Sequence, residues 1–299
     1  VAAAVFGWVP VYLWILVGGV FMGAVHDFTT LVASVRHRAR SMGRVIQEEV
    51  GPFGKRIFLI FAWFALILVI AAFLVIVART FVARPQVGTC SALFILLAAV
   101  FGLALYRLRV NLLLLTAIGI LLLGAAVFTG IQFPLVLPYN LWIWILMVYI
   151  FVASITPVWI LLQPRDYLNS FLLYALLIGA FVGILLTNPS IEFTAFGGFQ
   201  QEIGLLFPIL FVTVACGAIS GFHSLVASGT TSKQLNRESD ARPVGYGGML
   251  IESLLAVIAL ITVTRLSGAE YRQIIARQGP VELFADGVGR FLTVFSIPQ

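Results

Sequence analysis

Long apolar runs dominate this chain, and their length limits the folds open to it more than any other feature. Each approaches or exceeds the roughly 20 residues that an α-helix needs to cross about 30 Å of hydrocarbon. These runs cover residues 9–35, 57–82, 91–106, 110–130, 141–162, 168–186, 205–226 and 249–263, and another begins near residue 291. Charged residues make up 10% of the chain, whereas soluble domains have roughly 25%. The sequence therefore predicts an all-α, polytopic bundle of transmembrane helices.

The first residues and the cysteines lead to two further expectations. Val1 is not an initiator residue, and the residues after it lack the basic stretch and cleavage site of a signal peptide. We therefore expect residues 1–299 to be an internal piece of a longer protein and to form one transmembrane domain. Cys90 and Cys216 lie far apart in apolar runs, which favours buried packing over a disulfide or a metal pair. We expect no metal and no cofactor.

The distribution of lysine and arginine predicts the orientation of the chain. Cytoplasmic loops of membrane proteins are enriched in these residues. Most of them fall in alternate connections, and the densest cluster covers residues 36–56. We therefore assign this loop to the cytoplasm. The pI of about 9.7 then reflects charges that face the anionic lipid of the bilayer, and it requires no nucleic-acid partner.

Two connections have amphipathic patterns. In residues 40–51, Ser41 is placed as a helix cap before apolar residues that share one face. This pattern predicts a short helix on the cytoplasmic surface. Residues 267–289 mix charged and apolar residues around a break at Gly279 and Pro280. They predict two short external amphipathic helices, which act as a lid or simply cover the surface.

Polar residues inside the apolar runs are the candidates for function, because ionisable groups at membrane depth are costly and usually face a bundle interior or a cavity. Residues 217–229, GAISGFHSLVASG, fill one run with small, polar and helix-breaking residues. Irregular backbone at this depth is tolerated only where protein or a wet cavity covers it. The candidate binding residues here are Ser220, Gly221, His223 and Ser224. His223 is a proton-transfer group or a plain core residue, and the serines line a helix contact or a pathway.

His26 and Asp27 interrupt the first apolar run. Neighbouring helical residues point about 100° apart, so we expect one of the two to contact another helix. Asp27 has two open roles. It coordinates an ion or substrate, or it forms a structural ion pair with an arginine of the following loop.

Two further sites have ionisable groups next to or inside apolar runs. Gln163, Arg165 and Asp166 flank Pro164, which removes a helix hydrogen bond and predicts a sharp break. Arg165 either pairs with a substrate carboxylate or with Asp166 in a tight turn. Glu252 lies inside a later run, and an unpaired carboxylate there is expected to stay protonated, as a proton-coupled carrier needs. The alternative is that Glu252 is a buried structural partner of a basic or hydroxyl group.

Long stretches spread over most of the chain also match a known pattern. They are GAVHDF at 23–28 with SVRH at 34–37, QPRDYL at 163–168, AISGFHSLVASGTTSKQL at 218–235 and GYGGMLIESL at 245–254. Together they resemble the carbon starvation protein A family of bacterial and archaeal inner-membrane transporters. Ser232 stands where the family pattern leads us to expect proline, which leaves the form of that turn open.

The resemblance implies secondary active import of small peptides or pyruvate, by proton symport, during carbon limitation. It also implies a distant relation to the amino acid, polyamine and organocation superfamily, whose inverted-repeat core directs the N-termini of discontinuous helices at substrate anions. On this basis the substrate carboxylate meets the break at residues 220–224. Asp27, Asp166, His223 or Glu252 then supplies the proton-linked charge.

Other functional classes have less support in the sequence. The histidines are scattered, and no metalloprotease, nucleophile-elbow or phosphate-loop motif occurs, so we expect no enzymatic activity. Two alternatives stay open: a nutrient-sensing membrane protein coupled to a signalling partner, and a facilitator or channel without ion coupling. The pattern also leaves the oligomeric state open.

Overall fold

The computed structural model describes residues 1–277 and 279–295, and 80% of the structure is helical. In chain order the α-helices are α1 (Ala2–Phe6), α2 (Trp8–Val17), α3 (Ala24–Arg36), α4 (Met42–Glu49), α5 (Pro52–Ala83), α6 (Pro85–Tyr106), α7 (Leu112–Gln132), α8 (Tyr139–Ile155), α9 (Leu162–Thr187), α10 (Leu206–Thr213), α11 (Ala215–Ala218), α12 (Gly221–Gly229), α13 (Gly247–Thr264), α14 (Gly268–Arg277) and α15 (Pro280–Leu292). The prediction of an all-α, polytopic membrane protein is confirmed.

Shorter elements join these helices. A π-helical turn, Gly18–Gly23, links α2 to α3, and a second, Arg242–Tyr246, leads into α13. Single 3₁₀ turns cover Thr231–Lys233, Glu238–Asp240 and Thr293–Phe295. The strands β1 (Gln200–Gln201) and β2 (Gly204–Leu205) form a minimal antiparallel pair, with Gln200 opposite Leu205.

Among the described residues, six helical segments are long and apolar enough to cross a membrane. They are Trp8–Arg36, Pro52–Ala83, Pro85–Tyr106, Leu112–Gln132, Leu162–Thr187 and Glu238–Thr264. The helix α8 is apolar but shorter, because it ends at Ile155 instead of continuing through the run 141–162. The apolar run 205–226 is divided among α10, α11 and α12, so it forms an interrupted segment.

The chain divides into two compact units, which we describe separately. The first contains Val1–Phe64 and Ala180–Gln299, and the second contains Ala65–Gly179. In the first unit, Phe6 of α1, Ile15 of α2 and Leu210 of α10 belong to one buried apolar cluster. In the second, Phe101 of α6, Leu123 of α7 and Leu168 of α9 form another. Each unit therefore has a core built from the apolar faces of its own helices.

The interruption between α10 and α12 has a local cause. Val214 and Ile219 leave the helical conformation, with φ −104° and ψ 9° at Val214 and φ −155° and ψ 84° at Ile219. Glycine and serine concentrate at residues 217–221, where both disfavour a helix interior relative to alanine. The four-residue helix α11 is the part of the run that stays between these two breaks.

Buried hydroxyl groups fasten α3, α4 and α12 to one another. The Ser34 Oγ lies 2.6 Å from the Arg40 carbonyl oxygen and 2.9 Å from both the Ser228 carbonyl oxygen and the Ser232 Oγ. The amide of Met42 donates to the Ser228 Oγ at 3.1 Å. Ser228 therefore supplies an acceptor at the N-terminus of α4, a position where several amides have no partner inside the helix.

The connection between α3 and α4 is also held by His37. Its Nδ1 lies 2.7 Å from the Ala33 carbonyl oxygen, and its Nε2 lies 3.0 Å from the Glu49 Oε1. These two contacts, the Ala33 carbonyl first and the Glu49 carboxylate second, raise the pKa of His37 above its ordinary value. They tie the C-terminal end of α3 to the C-terminal end of α4.

Helices form in both segments with amphipathic patterns. The helix α4 follows Ser41, which occupies the N-cap position, although within the described part of the chain its side chain makes no capping hydrogen bond. The helices α14 and α15 lie on either side of Gly279, whose φ of 84° is a conformation that glycine adopts readily. The placement of these helices at the cytoplasmic and external surfaces stays a prediction.

Candidate functional site

Three ionisable side chains from distant parts of the sequence meet in the first unit. Asp27 comes from α3, His223 from α12 and Glu252 from α13. The His223 Nδ1 lies 2.7 Å from the Asp27 Oδ2, and the His223 Nε2 lies 2.8 Å from the Glu252 Oε2. The Asp27 side chain is 5% exposed, and those of His223 and Glu252 are 30% and 25% exposed. We call these three residues the triad.

The two short distances in the triad limit where its protons can lie. Each of the two short contacts needs one proton between its nitrogen and its oxygen. The imidazole then either carries both protons between two carboxylates, or shares them with one protonated carboxyl group. In both cases the triad has a single net negative charge, and one more proton neutralises it. This arrangement suits the uptake and release of one proton within a span.

Other side chains extend the triad at both ends. The His26 Nδ1 lies 3.1 Å from the Asp27 Oδ1, and the thiol of Cys216 donates to the Glu252 Oε1 at 3.1 Å. Ser220 is the fourth residue after Cys216 and is buried at the helix break. The hydrogen-bonded chain therefore runs from His26 through the triad to Cys216, which lies next to this break.

The two cysteines differ in their surroundings. Cys216 is exposed and bonded to Glu252, so the expectation of buried packing is wrong for this residue. Cys90 is partly buried, and its Sγ lies 3.7 Å from the Ala126 carbonyl oxygen. The position of Cys216 beside a helix break, four residues before Ser220, is the sequence signal that could have suggested a role.

Among the described residues, no group of three or more histidine, cysteine and acidic side chains is arranged to hold a metal ion.

Close approach of the backbones brings these elements together. A Cβ added at Gly18 would lie 2.9 Å from the Ala218 Cβ, so α11 packs directly against the first π-helical turn. The Ser253 Oγ of α13 donates to the Gly217 carbonyl oxygen at 3.1 Å. The Tyr246 hydroxyl donates to the carbonyl of Val20 at 3.1 Å. Small residues allow such contacts between helices in membranes, and π-helical turns recur at functional sites.

Replacing Gly217 by alanine is expected to push α11 away from α13. A Cβ at this position would lie 2.5 Å from the Ala256 Cβ, and overpacking of this kind costs about 1–3 kcal/mol. We expect a lower thermal unfolding midpoint in detergent. In the matched variant Gly248→Ala the added Cβ meets none of the described atoms within 4 Å, so its midpoint should stay unchanged or rise slightly. Equal midpoints for the two variants would contradict the close contact.

The other predicted residues of the break lie near the triad but bond locally. Gly221 is the first residue of α12, and Ser220 precedes it with a backbone φ of −78° and ψ of 104°. The Ser224 hydroxyl donates to the Gly221 carbonyl oxygen at 2.9 Å. Ser220 is buried, so of the two predicted serines it is the one enclosed by the protein.

Gln163, Arg165 and Asp166 belong to the second unit and have partners there. The Arg165 guanidinium lies 3.0 Å from the Asp166 Oδ1 and 2.9 Å from the Tyr149 hydroxyl. The Tyr106 hydroxyl donates to the Gln163 Oε1 at 3.1 Å. Arg165 therefore makes the pair with Asp166 that the sequence left open as an alternative to substrate binding.

The break predicted at Pro164 lies elsewhere. The helix α8 ends at Ile155 and α9 starts at Leu162, so the chain turns within residues 156–161. Pro164 falls in the first turn of α9. Backbone N–H groups in a first turn have no acceptor within the helix, so the lack of an N–H at proline removes no helical hydrogen bond there. Proline is tolerated there, and the helix continues through Gln163, Arg165 and Asp166.

The fold and the site define a class: a multi-pass α-helical membrane protein with ionisable side chains gathered where an interrupted segment meets two long spans. The family model described as carbon starvation protein CstA matches residues 1–298. The chain belongs to this family. No solved structure matches it significantly.

Relatives in the family include proteins named as transporters. A peptide transporter CstA from Bacillus subtilis (strain 168) is 39% identical over 283 residues, which cover 91% of this chain and 47% of that protein. A peptide transporter CstA from Escherichia coli (strain K12) is 37% identical over 286 residues, or 88% and 39% of the two chains. A pyruvate/proton symporter BtsT from the same strain is 36% identical over 287 residues, or 91% and 40%. The chain spans less than half the length of these relatives.

Proposed function

We propose that this chain is part of a secondary active transporter that imports small peptides or pyruvate by proton symport under carbon limitation. The triad of Asp27, His223 and Glu252 is the observation that carries the proposal, because it joins three helices through two bonds that need protons. The names of the relatives, peptide transporter and pyruvate/proton symporter, support the same conclusion.

The triad suggests how a proton would alter the contacts between helices. An ion pair within a span is costly to separate, because each partner loses its counter-charge in a medium of low polarity. A proton on Glu252 or Asp27 removes one of these charges and weakens the attraction to His223. The N-terminal part of α12, which follows a break, would then be held less tightly to α13 or to α3, while Ser228 near its C-terminal end stays bonded to Ser34.

The substrate carboxylate is proposed to meet the break at residues 220–224. The backbone is extended at Ile219 and Ser220, and the first amides of a helix have no partner within the helix. Ser220 is also the fourth residue after Cys216, whose thiol bonds to Glu252. Substrate and proton would therefore bind at neighbouring positions.

We place the protein in a bacterial or archaeal cytoplasmic membrane, with residues 36–56 in the cytoplasm and residues 267–289 outside. The basic residues of the first loop support this orientation. They include Arg36, whose Nε lies 2.8 Å from the Glu238 Oε1, and Arg40, which pairs with Glu48.

Uptake by the intact protein in proteoliposomes tests the proposal. Labelled dipeptide and labelled pyruvate are offered with and without an inward proton gradient, and a protonophore serves as the control. We expect one of the two to accumulate above its external concentration only while the gradient lasts. Equilibration without accumulation would instead indicate a facilitator or channel. The absence of any flux would favour the nutrient sensor coupled to a signalling partner.

A further inference from the structure

Both carboxylate oxygens of Glu252 have partners. The Oε2 faces the His223 Nε2 at 2.8 Å, and the Oε1 accepts a hydrogen bond from the Cys216 thiol at 3.1 Å. Cys216 lies on α11, the short helix between the breaks at Val214 and Ile219. One side of Glu252 is therefore attached to the irregular segment, and the other side is attached to the triad.

We propose that Cys216 is a positioning residue that holds the Glu252 carboxylate in place beside His223 and so shapes the pH dependence of proton-driven uptake. This inference rests on the proposed proton symport. It assigns a role to a side chain that lies outside the triad and touches it through a single oxygen.

The strength of the bond between the Cys216 thiol and the Glu252 carboxylate depends on whether Glu252 is protonated. A thiol is a weak donor, and it bonds well only to a strong acceptor such as a carboxylate. When Glu252 takes up a proton its oxygens become poorer acceptors, so the bond to Cys216 weakens. Protonation would therefore loosen one of the two hydrogen bonds between α11 and α13, while Ser253 keeps its bond to the Gly217 carbonyl oxygen. The bond from Cys216 links the protonation state of Glu252 to the segment where we place the substrate carboxylate.

The ionisable groups around Glu252 come from three helices. His223 of α12 and Cys216 of α11 face its carboxylate directly, and Asp27 and His26 of α3 lie behind His223. Tyr246, in the π-helical turn that leads into α13, has its hydroxyl on the Val20 carbonyl. The Cys216 thiol and the His223 imidazole therefore face different oxygens of the Glu252 carboxylate.

The test is the pH profile of proton-driven uptake by the intact protein in proteoliposomes. In Cys216→Ala the ionised form of Glu252 loses a donor, so its protonation becomes easier. The midpoint of the profile should then move up by about half a pH unit. In Cys216→Ser a hydroxyl, which is a stronger donor than a thiol, replaces the thiol, and the midpoint should stay at the parent value or below it. Cys90→Ala, which removes the other cysteine from its packing in the second unit, should leave the midpoint in place.

Several outcomes would overturn the inference. An unchanged or lower midpoint in Cys216→Ala would do so, as would equal upward shifts in the alanine and serine variants, since these would reflect packing alone. A Glu252→Gln variant separates this result from the larger proposal. If that variant loses its pH dependence while Cys216→Ala keeps the parent midpoint, only the role of Cys216 fails. If Glu252→Gln keeps the parent pH dependence, the proposal that Glu252 takes up the proton fails first.

Discussion

Glu252→Gln is expected to abolish proton-driven accumulation while the protein still folds. Glutamine has nearly the same shape as glutamate, so it can still bond to His223 and Cys216, which lie 2.8 and 3.1 Å from the carboxylate oxygens. It cannot take up the proton that the proposed cycle needs. Without that proton the gradient cannot drive the cycle, so we expect uptake with the gradient to fall to the level measured without it. The measurement is initial uptake across a range of external pH.

A second glutamate provides the control. Glu238 lies outside the triad, its side chain is 49% exposed, and it pairs with Arg36 at 2.8 Å. Exposed ion pairs contribute about 0–1 kcal/mol, so Glu238→Gln should keep the parent uptake and the parent pH profile. If Glu252→Gln also kept the parent pH profile, Glu252 would have no part in proton coupling.

His223→Ala is expected to destabilise the protein more than the loss of a surface side chain would. The imidazole lies between two carboxylates, and one of them, Asp27, is 5% exposed. Removing one partner of a buried ion pair costs about 3–5 kcal/mol. We expect a value near the lower end, because Glu252 is partly exposed and Asp27 keeps His26. The measurement is the thermal unfolding midpoint in detergent relative to the parent protein.

The pH dependence of the loss of stability in His223→Ala shows whether that loss comes from charge or from packing. In the variant the two carboxylates lose the imidazole between them, and lowering the pH favours their neutral forms. The difference between variant and parent should therefore shrink as the pH falls. His26→Ala is the matched control, since its side chain is 35% exposed and lies at the end of the chain with a 3.1 Å contact to Asp27. A loss of equal size in both variants, constant with pH, would contradict the central role of His223.

The spans and the interruption were predictable because they depend on neighbours along the chain. Hydropathy over about 20 residues locates a span, and the glycine and serine residues at 217–221 weaken a helix wherever it packs. The multi-pass class and the interrupted run 205–226 followed from these local properties. The early end of α8 and the position of Pro164 inside the first turn of α9 did not, because a proline in a first turn and a proline at a break look alike in sequence.

The N-terminus of α4 shows the limit of local reasoning. Ser41 has the right residue type and position for a cap, yet the acceptor for the Met42 amide is the Ser228 hydroxyl, from a helix far along the chain. Cys216 shows the same limit. Its apolar neighbours in sequence predicted buried packing, whereas the fold sets its thiol against Glu252.

The sequence by itself determined that this chain is a multi-pass helical membrane protein, where its interrupted segment lies, and which polar residues are exceptional at that depth. The tertiary structure alone decided which of those residues meet. Asp27, His223 and Glu252 come together, whereas Arg165 pairs with Asp166 in the other unit. The physical reason is that helix formation depends on residues within a few positions of each other, while a contact between helices depends on how closely their backbones approach. Small residues at particular sites, such as Gly18 against Ala218 and Gly217 against Ala256, set that approach.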